Sequence, residues 1–72
     1  MSAFSVRLRE LRASKNVTQK QVAESTGLSE RGYQNYELGI REPSLDNINK
    51  LADFFEVSTD YLLGRTDNPR QP

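Results

Sequence analysis

Residues 18–37, TQKQVAESTGLSERGYQNYE, decide the fold of this chain. Thr18 is placed to cap a first helix, and Gln21 three residues later completes a capping box. Ser29 is placed to cap a second helix. Gly27 lies between the two helices, where a chain that ends one helix and turns sharply needs a positive φ. The stretch therefore predicts two short helices joined by a tight turn.

Apolar residues on both sides of the caps favour the same structure. Val17 and Val22 occupy the two positions of a hydrophobic staple around the first cap. Leu28 and Tyr33 occupy the same positions around the second cap. Ala23 is small and is predicted to face inward, so that the second helix can cross close to the first. A helix, a short turn with glycine and a second helix form the helix-turn-helix pattern, whose second helix usually lies in the DNA major groove.

Composition excludes several classes of function. The chain of 72 residues is one domain near the lower size limit for a hydrophobic core, and it has no cysteine and no histidine. Disulfides and the usual zinc sites are therefore excluded, and we predict no metal and no cofactor. The usual nucleophile–base pairs are missing too, so we predict that the chain is not an enzyme and has no catalytic residues. Without a long apolar run or a signal-peptide core, no membrane span and a cytoplasmic location are expected.

Charge is balanced overall but uneven along the chain. The formal net charge is zero, with seven basic and four acidic residues in positions 1–41 and three basic and six acidic residues in positions 42–72. The positive part contains the two short helices. This distribution permits binding to phosphates, although few of them can be neutralised by one subunit.

Three further helices are predicted around the central pair. The first runs over about 5–14, with Phe4, Leu8 and Leu11 on its buried stripe. Its charged residues, Arg7, Arg9 and Glu10, are expected on a solvated face. The fourth helix extends from the cap Ser44 to about Glu56, and its buried stripe is Leu45, Ile48, Leu51, Ala52 and Phe55. The fifth is capped by Ser58 and ended by Gly64. Residues 65–72 are predicted to be a flexible tail or the start of a linker.

Several short motifs occur together along the chain. They are Thr18-Gln19, Gly27-Leu28-Ser29, Tyr36-Glu37, Gly39, Pro43-Ser44, Leu51-Ala52 and Asp60-Tyr61-Leu62-Leu63-Gly64. In this combination the chain resembles the phage-repressor/Cro-type (XRE) helix-turn-helix family from about Phe4 to Gly64. The resemblance implies an all-α, compact, five-helix lambda-repressor-like domain over residues 1–64, with the helix-turn-helix formed by helices 2 and 3. It also implies binding to operator DNA, usually as a homodimer.

The second helix of the pair, predicted over 30–37, is the candidate reader of base edges. Arg31, Gln34 and Asn35 share its outer face, whereas Tyr33 and Tyr36 fall toward the inside. Arginine suits guanine, and asparagine or glutamine suits adenine. The resemblance implies that the first two positions of this helix, and the one four further on, face bases.

Two other positions of the reader helix have alternative interpretations. Glu30 either accepts a hydrogen bond from cytosine or stabilises the positive end of the helix dipole. Gly32 weakens the helix by up to about 1 kcal/mol and removes a possible contact. Alternatively, Gly32 lets the backbone approach the DNA closely.

Phosphate contacts are predicted at the helix starts and in the loop after the reader helix. Gln19 lies in the first helical turn, where free N–H groups attract an anion, and the resemblance implies that its amide binds the same phosphate. The caps Thr18 and Ser29 belong to the same set. The resemblance also implies phosphate contacts from the Arg41 side chain and from the backbone N–H groups near Ile40 and Arg41. The Ile40 side chain is predicted to fill the core.

The resemblance implies an ion pair and a dimer interface. An arginine at the position of Arg12 commonly pairs in this family with the glutamate that closes the reader helix, here Glu37. The alternative is two unrelated surface charges. The predicted interface residues are Phe54, Val57, Thr59, Tyr61 and Leu63. Phe54 is an aromatic residue off the buried stripe, and the other four lie near the dimer contact of relatives. Alternatively, Tyr61 and Leu62 only cover the core.

We therefore predict a sequence-specific DNA-binding transcriptional regulator, a repressor that binds a palindromic operator in double-stranded DNA as a homodimer. No small-molecule ligand is predicted. The alternative is a protein-interaction module of the same fold, such as an antitoxin or an antagonist-bound regulator. Three features favour that alternative: the zero net charge, Glu42 in the loop after the reader helix, and Gly32 in the reader helix. Within the DNA-binding class, an activator or a restriction-modification controller is a further variant.

Overall fold

Each helix begins after a hydroxyl side chain that accepts a hydrogen bond from a backbone N–H of the first turn. A computed structural model describes residues 2–71. These residues form α1 (Ala3–Lys15), α2 (Gln19–Thr26), α3 (Glu30–Leu38), α4 (Leu45–Phe55) and α5 (Thr59–Leu62). The caps are Ser2, Thr18, Ser29, Ser44 and Ser58. The predicted caps of helices 2 to 5 and the all-α class are thereby confirmed.

The turn between α2 and α3 has the predicted geometry. The capping box of Thr18 and Gln21 is complete, and Gly27 ends α2 in the left-handed conformation with a φ of 74°. Helix α1 differs from its prediction, because it starts at Ala3 rather than near Ser5. The side chain of Ser2 caps it by accepting a hydrogen bond from the Ser5 N–H, an N-cap that the sequence analysis did not assign.

The core lies where all five helices meet. Helix α1 packs on α3 and α5, α2 packs on α3 and α4, and α4 packs on α5. Fully buried at the centre are Leu8, Val22, Tyr33, Leu51 and Leu62. The predicted inward positions of Phe4, Ala23, Ile48, Ala52 and Phe55 are confirmed, and Leu11 is partly buried against them.

Two apolar residues predicted in the core lie on the surface instead. Leu45 is 78% exposed because it is the first residue of α4 and lies beyond the edge of the core. Ile40 is 68% exposed. The left-handed Gly39 turns the chain at the end of α3, and the Ile40 N–H bonds back to the Asn35 carbonyl at 3.1 Å. That turn directs the Ile40 side chain outward.

Residues 65–71, called here the C-terminal strap, fold back over the junction of α4 and α5. The Ser58 N–H donates to the Pro69 carbonyl at 2.9 Å. The Gln71 amide donates to the Val57 carbonyl at 3.1 Å and to Asp53 Oδ1 at 3.3 Å. The segment predicted as a flexible tail is thus hydrogen-bonded to the domain in this structure. Pro72, the last residue of that prediction, lies outside the described residues.

Arg7 holds the start of the strap, and its predicted place on a solvated face is wrong. Its guanidinium lies over the Tyr61 ring, 4.0 Å from the centroid, and donates to the Tyr61 and Thr66 carbonyls at 2.5 Å each. The same group pairs with Asp67 at 2.7 Å. Only 16% of the Arg7 side chain is exposed. Arg9, predicted on the same face, is half-buried and donates to the Glu37 carbonyl at 3.3 Å. Both arginines are partly buried because α1 packs on α3 and α5.

Among residues 2–71, no helix has both the length and the apolar character that a bilayer crossing requires. The same residues contain no cluster of acidic side chains arranged to hold a metal ion.

Candidate nucleic-acid interface

Helix α3 presents a polar face to solvent and an aromatic face to the core. Glu30 and Arg31 are exposed, and Gln34 and Asn35 are half-buried. Tyr33 and Tyr36 are buried, at 0% and 8% exposure, as predicted. The ring of Tyr36 packs edge-on against Phe4 of α1. The aromatic face therefore anchors α3 and leaves the four candidate base-reading side chains pointing away from its deepest contacts.

One groove beside α3 brings several predicted DNA contacts together. Its volume is about 420 Å³, and it lies between α3 and the start of α4. Its walls include Ser29, Arg31, Asn35, Arg41 and Asn47. Two predicted base readers therefore share one concave surface with two predicted phosphate contacts.

Asn47 is a member of this groove that sequence analysis missed. Its amide donates to the Tyr36 hydroxyl at 2.9 Å, which ties the start of α4 to the reader helix. This bond also orients the Tyr36 hydroxyl at the groove wall. The available signal was the position of Asn47, three residues after the cap Ser44, where its backbone N–H donates to the Ser44 hydroxyl oxygen.

A second groove, of about 440 Å³, lies at the start of α2. It is lined in part by Thr18, Gln19, Lys20 and Glu30. The predicted phosphate contacts Thr18 and Gln19 are therefore adjacent to the first residue of the reader helix. Both cap hydroxyls, Thr18 and Ser29, accept a backbone N–H. Since a hydroxyl also carries one proton, each keeps a donor for a phosphate oxygen.

The structure brings Arg12 and Glu37 together. Arg12 Nε lies 2.6 Å from Glu37 Oε2, and its terminal nitrogen lies 3.1 Å from Oε1. This two-pronged contact joins α1 to the end of α3, as the resemblance implied. Arg12 also donates to the Val17 carbonyl at 3.3 Å, so the same side chain supports the loop before α2.

Glu37 has two more partners, which sequence analysis did not assign to it. The Tyr33 hydroxyl donates to Oε2 at 2.5 Å, and the Gln19 amide donates to Oε1 at 3.1 Å. The carboxylate is only 3% exposed, so it depends on these hydrogen bonds for its stability in the interior. The spacing of Tyr33 and Glu37, one helical turn apart, was the available signal for the first contact.

The electrostatics of this cluster follow from burial and hydrogen bonding. Burial acts to raise the pKa of Glu37, but the hydrogen bonds from Arg12, Tyr33 and Gln19 outweigh it and lower the pKa below its usual value. The pKa of Tyr33 is raised, first by burial and then by its bond to the carboxylate. The hydrogen bond to Glu37 raises the pKa of Arg12. The cluster therefore holds a charged carboxylate against a charged guanidinium and a neutral tyrosine.

Two predicted roles in the reader helix and its loop need correction or refinement. The Ile40 N–H is not free for a phosphate, because it donates to the Asn35 carbonyl. A Cβ at Gly32 would lie 2.9 Å from the Ser29 Oγ that caps α3, but this is a side-chain atom that can shift, and Gln21 and Asn47 carry a Cβ at the same position after their caps. The structure therefore sets no steric requirement for glycine at this position. Arg41 is exposed and keeps its predicted place beside α3.

The predicted dimer residues differ in how far they are available to a partner. Val57 does not fit an interface, because it is 4% exposed and packs in the core. Tyr61 is covered on one ring face by Arg7, and Phe54 packs edge-on against Phe55. Thr59 is half-buried, whereas Leu63 is 46% exposed. Leu63 lines instead a mostly apolar groove of about 470 Å³ between the start of α1, the α3–α4 loop, α4 and the end of α5.

The sequence of the chain matches the model of a known family, described as helix-turn-helix, over residues 8–62. The chain belongs to this helix-turn-helix family, and the predicted resemblance is confirmed. The family consists of DNA-binding regulators and not of enzymes, in agreement with the prediction that the chain is not an enzyme.

Among curated proteins, three similar sequences have names that state their class. The uncharacterized HTH-type transcriptional regulator YobD of Bacillus subtilis is 43% identical over 66 residues, which are 92% of this chain and 59% of the relative. The HTH-type transcriptional regulator ImmR of the same organism is 41% identical, over 85% of this chain and 48% of the relative. The cryptic phage CTXphi transcriptional repressor RstR of Vibrio cholerae is 42% identical, over 82% of this chain and 53% of the relative. The chain thus spans about half the length of these relatives.

Two solved structures share the fold. The restriction-modification controller protein C.AhdI of Aeromonas hydrophila aligns with a TM-score of 0.79 and 38% identity, over 85% of this chain and 92% of that one. The hypothetical transcription factor NHTF of Neisseria aligns with a TM-score of 0.81 and 26% identity, over 86% of this chain and 70% of that one. The five-helix arrangement is therefore that of helix-turn-helix regulators.

Proposed function

We propose that this chain is a sequence-specific DNA-binding transcriptional repressor that binds a palindromic operator as a homodimer, with α3 in the major groove. One observation carries the proposal: α3 is fastened to the core by Tyr33, Tyr36 and Glu37, while Arg31 and Asn35 share an open groove with Arg41. Rigid support on one face and convergent polar groups on the other are what base reading requires. The similarity to the phage repressor RstR supports the repressor role.

In the proposed complex, α3 carries the sequence information. The Arg31 guanidinium suits the O6 and N7 acceptors of guanine, and the amides of Gln34 and Asn35 suit adenine. Glu30 is exposed at the start of α3. Its carboxylate either accepts a hydrogen bond from cytosine or stabilises the positive end of the helix dipole. The half-buried state of Gln34 and Asn35 restricts their rotamers and so reduces the entropy lost on binding.

The phosphate contacts would hold α3 in register without reading sequence. Thr18 and Gln19 lie at the start of α2, where the first-turn backbone N–H groups outside the capping box add to their side chains. Ser29 and Arg41 lie on the other side of α3. Contacts of this kind set orientation and salt dependence, whereas base contacts set specificity.

For the homodimer we propose an interface centred on Leu63 and the apolar groove beside it. Ala3, Pro43 and Leu45 line that groove with Leu63, over a floor formed by the buried core residues Phe4 and Ile48. The exposed Leu45 supports this placement, because a large apolar side chain on the surface is better covered by a partner. Two-fold symmetry would set the half-sites about 34 Å apart.

Selection of bound sequences from a random DNA library, followed by a salt titration on the recovered site, tests this function. We expect a palindrome whose half-site spacing matches one turn of DNA and an affinity that falls steeply with salt. Recovery of an asymmetric site by a monomeric protein would remove the homodimer from the proposal. No enriched sequence, together with weak binding at low salt, would refute sequence-specific recognition.

A protein-interaction module is the second candidate function, and a specific observation favours it. Leu38 and Ile40 are 62% and 68% exposed at the end of α3 and in the following loop, close to the proposed DNA surface. Exposed apolar side chains there suit a protein partner, such as an antagonist, better than a phosphate backbone. In that case the library selection would fail, and a Leu38→Ser and Ile40→Ser double variant would lose partner binding without losing stability.

A further inference from the structure

Glu37 connects a buried residue of the reader helix to a surface residue of α2. Tyr33 and Arg12 both donate to Oε2, while Gln19 and Arg12 donate to Oε1. Tyr33 and Gln19 therefore bind different oxygens of the carboxylate, and the rotation of the carboxylate decides whether the Gln19 amide has an acceptor. Gln19 is the first residue of α2, beside the cap Thr18.

Tyr33 is the rigid member of this cluster. Its side chain is 0% exposed, so its ring cannot move without opening the core. Arg12, in contrast, is a long side chain that is 27% exposed. Because the Tyr33 hydroxyl is a fixed donor, it sets the orientation of the carboxylate together with the two-pronged contact from Arg12. The fixed carboxylate then holds one hydrogen of the Gln19 amide.

Gln19 also reaches solvent on its other side. It lines the groove at the start of α2 together with Thr18 and Lys20. An amide nitrogen carries two hydrogens, and the bond to Glu37 uses one of them. The second hydrogen is then held in a defined direction next to the backbone N–H groups of the helix start.

We propose that Tyr33 is a positioning residue for DNA binding: acting through Glu37, its buried hydroxyl holds the Gln19 amide in place to donate to a DNA phosphate. The inference rests on the proposed function, because it concerns the phosphate contact of that same interface. Tyr33 itself touches no nucleotide. Its effect is preorganisation, since an amide that is already oriented loses less conformational freedom on binding.

A double-mutant cycle on operator affinity tests the inference in the full chain. Gln19→Ala is expected to weaken binding about tenfold, the effect of losing one hydrogen bond to a charged phosphate. Tyr33→Phe, which removes only the hydroxyl, is expected to weaken it about fivefold. In the Gln19→Ala background, Tyr33→Phe should cause almost no further loss, because the amide through which it acts is gone.

Thr26→Val is the matched control. Thr26 is 7% exposed in α2, and its hydroxyl donates to the Val22 and Ala23 carbonyls rather than to Glu37. The variant removes a buried hydroxyl of similar kind, so it reports the effect of lower stability alone. It should leave operator affinity unchanged at temperatures well below the melting transition.

A second measurement identifies the phosphate. Replacing single operator phosphates by neutral methylphosphonates should reveal one position per half-site that weakens wild-type binding, weakens Tyr33→Phe less and has little effect on Gln19→Ala. Equal losses from Tyr33→Phe in both backgrounds, or no position with this pattern, would overturn the inference. Failure of the wild-type protein to bind any DNA would instead refute the proposed function. The two failures are thus distinguishable.

Discussion

At the residue scale, Glu37 is the side chain that connects α1, α2 and α3 beside the proposed interface. It is a buried carboxylate at the end of the reader helix, and it receives donors from α1, α2 and α3. Buried charges are stable only when they are paired and fully hydrogen-bonded. The conformation of Glu37 therefore links the position of α3 to the loop before α2 and to a predicted phosphate contact.

Arg12→Ala should destabilise the domain by about 3 kcal/mol, because it leaves the buried Glu37 carboxylate without its positive partner. Arg31 is an exposed arginine on the opposite face of α3. Arg31→Ala should therefore change stability by less than about 0.5 kcal/mol. Urea unfolding of both variants at neutral pH measures the difference. Equal unfolding midpoints would mean that the pair contributes no stability.

The pH dependence of stability should report the lowered pKa of Glu37. A carboxyl whose pKa is lower in the folded state stabilises the fold above its ordinary pKa of about 4.3. That contribution is lost as the pH falls from this value through the lower folded pKa. Glu37→Gln cannot titrate, so it should be less stable than the wild type at pH 7 and approach it at acidic pH. Unfolding curves measured across this range test the expectation, and a gap that is independent of pH would contradict it.

Base readers and phosphate contacts should differ in their mutant phenotypes. Asn35→Ala removes a predicted base contact, so it should relax specificity at one operator position and cost about 1–3 kcal/mol there. Arg41→Ala removes a predicted phosphate contact, so it should weaken all sequences alike and reduce the salt slope by about one. Affinities for a set of single-base operator variants separate the two outcomes. The same specificity profile in both mutants would show that the assigned roles are incorrect.

At the element scale, the ends of the helices set the relative positions of the reading elements. Every helix start has a hydroxyl cap. Gly27 turns the chain before α3, and Gly39 turns it after α3. Gly64 has a second constraint, because the chain passes very close to α1 there. A Cβ at Gly64 would lie 2.5 Å from the Ala3 Cβ, whereas a Cβ at Gly27 would meet nothing within 4 Å.

Gly64→Ala should therefore destabilise the protein more than Gly27→Ala. Both substitutions place a side chain at a positive φ and cost about 1 kcal/mol in backbone strain. Gly64→Ala adds a clash with α1, which should raise the total to about 2–3 kcal/mol. Thermal melting of the two variants gives the comparison. If Gly27→Ala proved the more harmful, the close approach of residue 64 to α1 would not exist in solution.

At the scale of the whole molecule, one side chain holds the last helix and the strap together. Helix α5 has only four residues, which is too short to be stable without tertiary contacts. Arg7 binds the carbonyls of Tyr61 and Thr66, and the Ser58 N–H at the other end of α5 bonds to the strap. The strap therefore supports both ends of α5. Leu63 directly follows this helix and lines the proposed dimer groove.

Arg7→Gln should release the strap while the core remains folded. The sensitive measurement is hydrogen exchange at the Ser58 amide, whose acceptor is the Pro69 carbonyl. Exchange there should accelerate by about tenfold or more, while the Leu51 amide inside α4 should remain protected. Arg65→Gln, an exposed arginine of the strap, is the charge-matched control and should leave both amides unchanged. Acceleration at Leu51 equal to that at Ser58 would indicate global unfolding and contradict a local role.

The sequence alone determined the features that arise from short-range chemistry. Caps such as Thr18 and Ser29, the left-handed turn at Gly27 and the apolar spacing of Leu8, Ile48 and Phe55 depend on residues within a few positions. Because these signals are local, the helices, most of the core and the outward face of α3 could be predicted. The Arg12–Glu37 pair came from the resemblance to a known family, since nothing within a few residues of either one indicates the other.

The tertiary structure alone decided which distant polar groups meet. Arg7 and Thr66 are separated by 59 residues, and Gln19 and Glu37 by 18, so no periodic pattern connects them. The exposure of Ile40 and Leu45 was likewise undecided, because an apolar side chain near a helix end is buried only if a neighbouring helix extends over it. Local propensities determine where helices form. The packing of those helices determines which long side chains are buried and which hydrogen-bond partners replace the water that they lose.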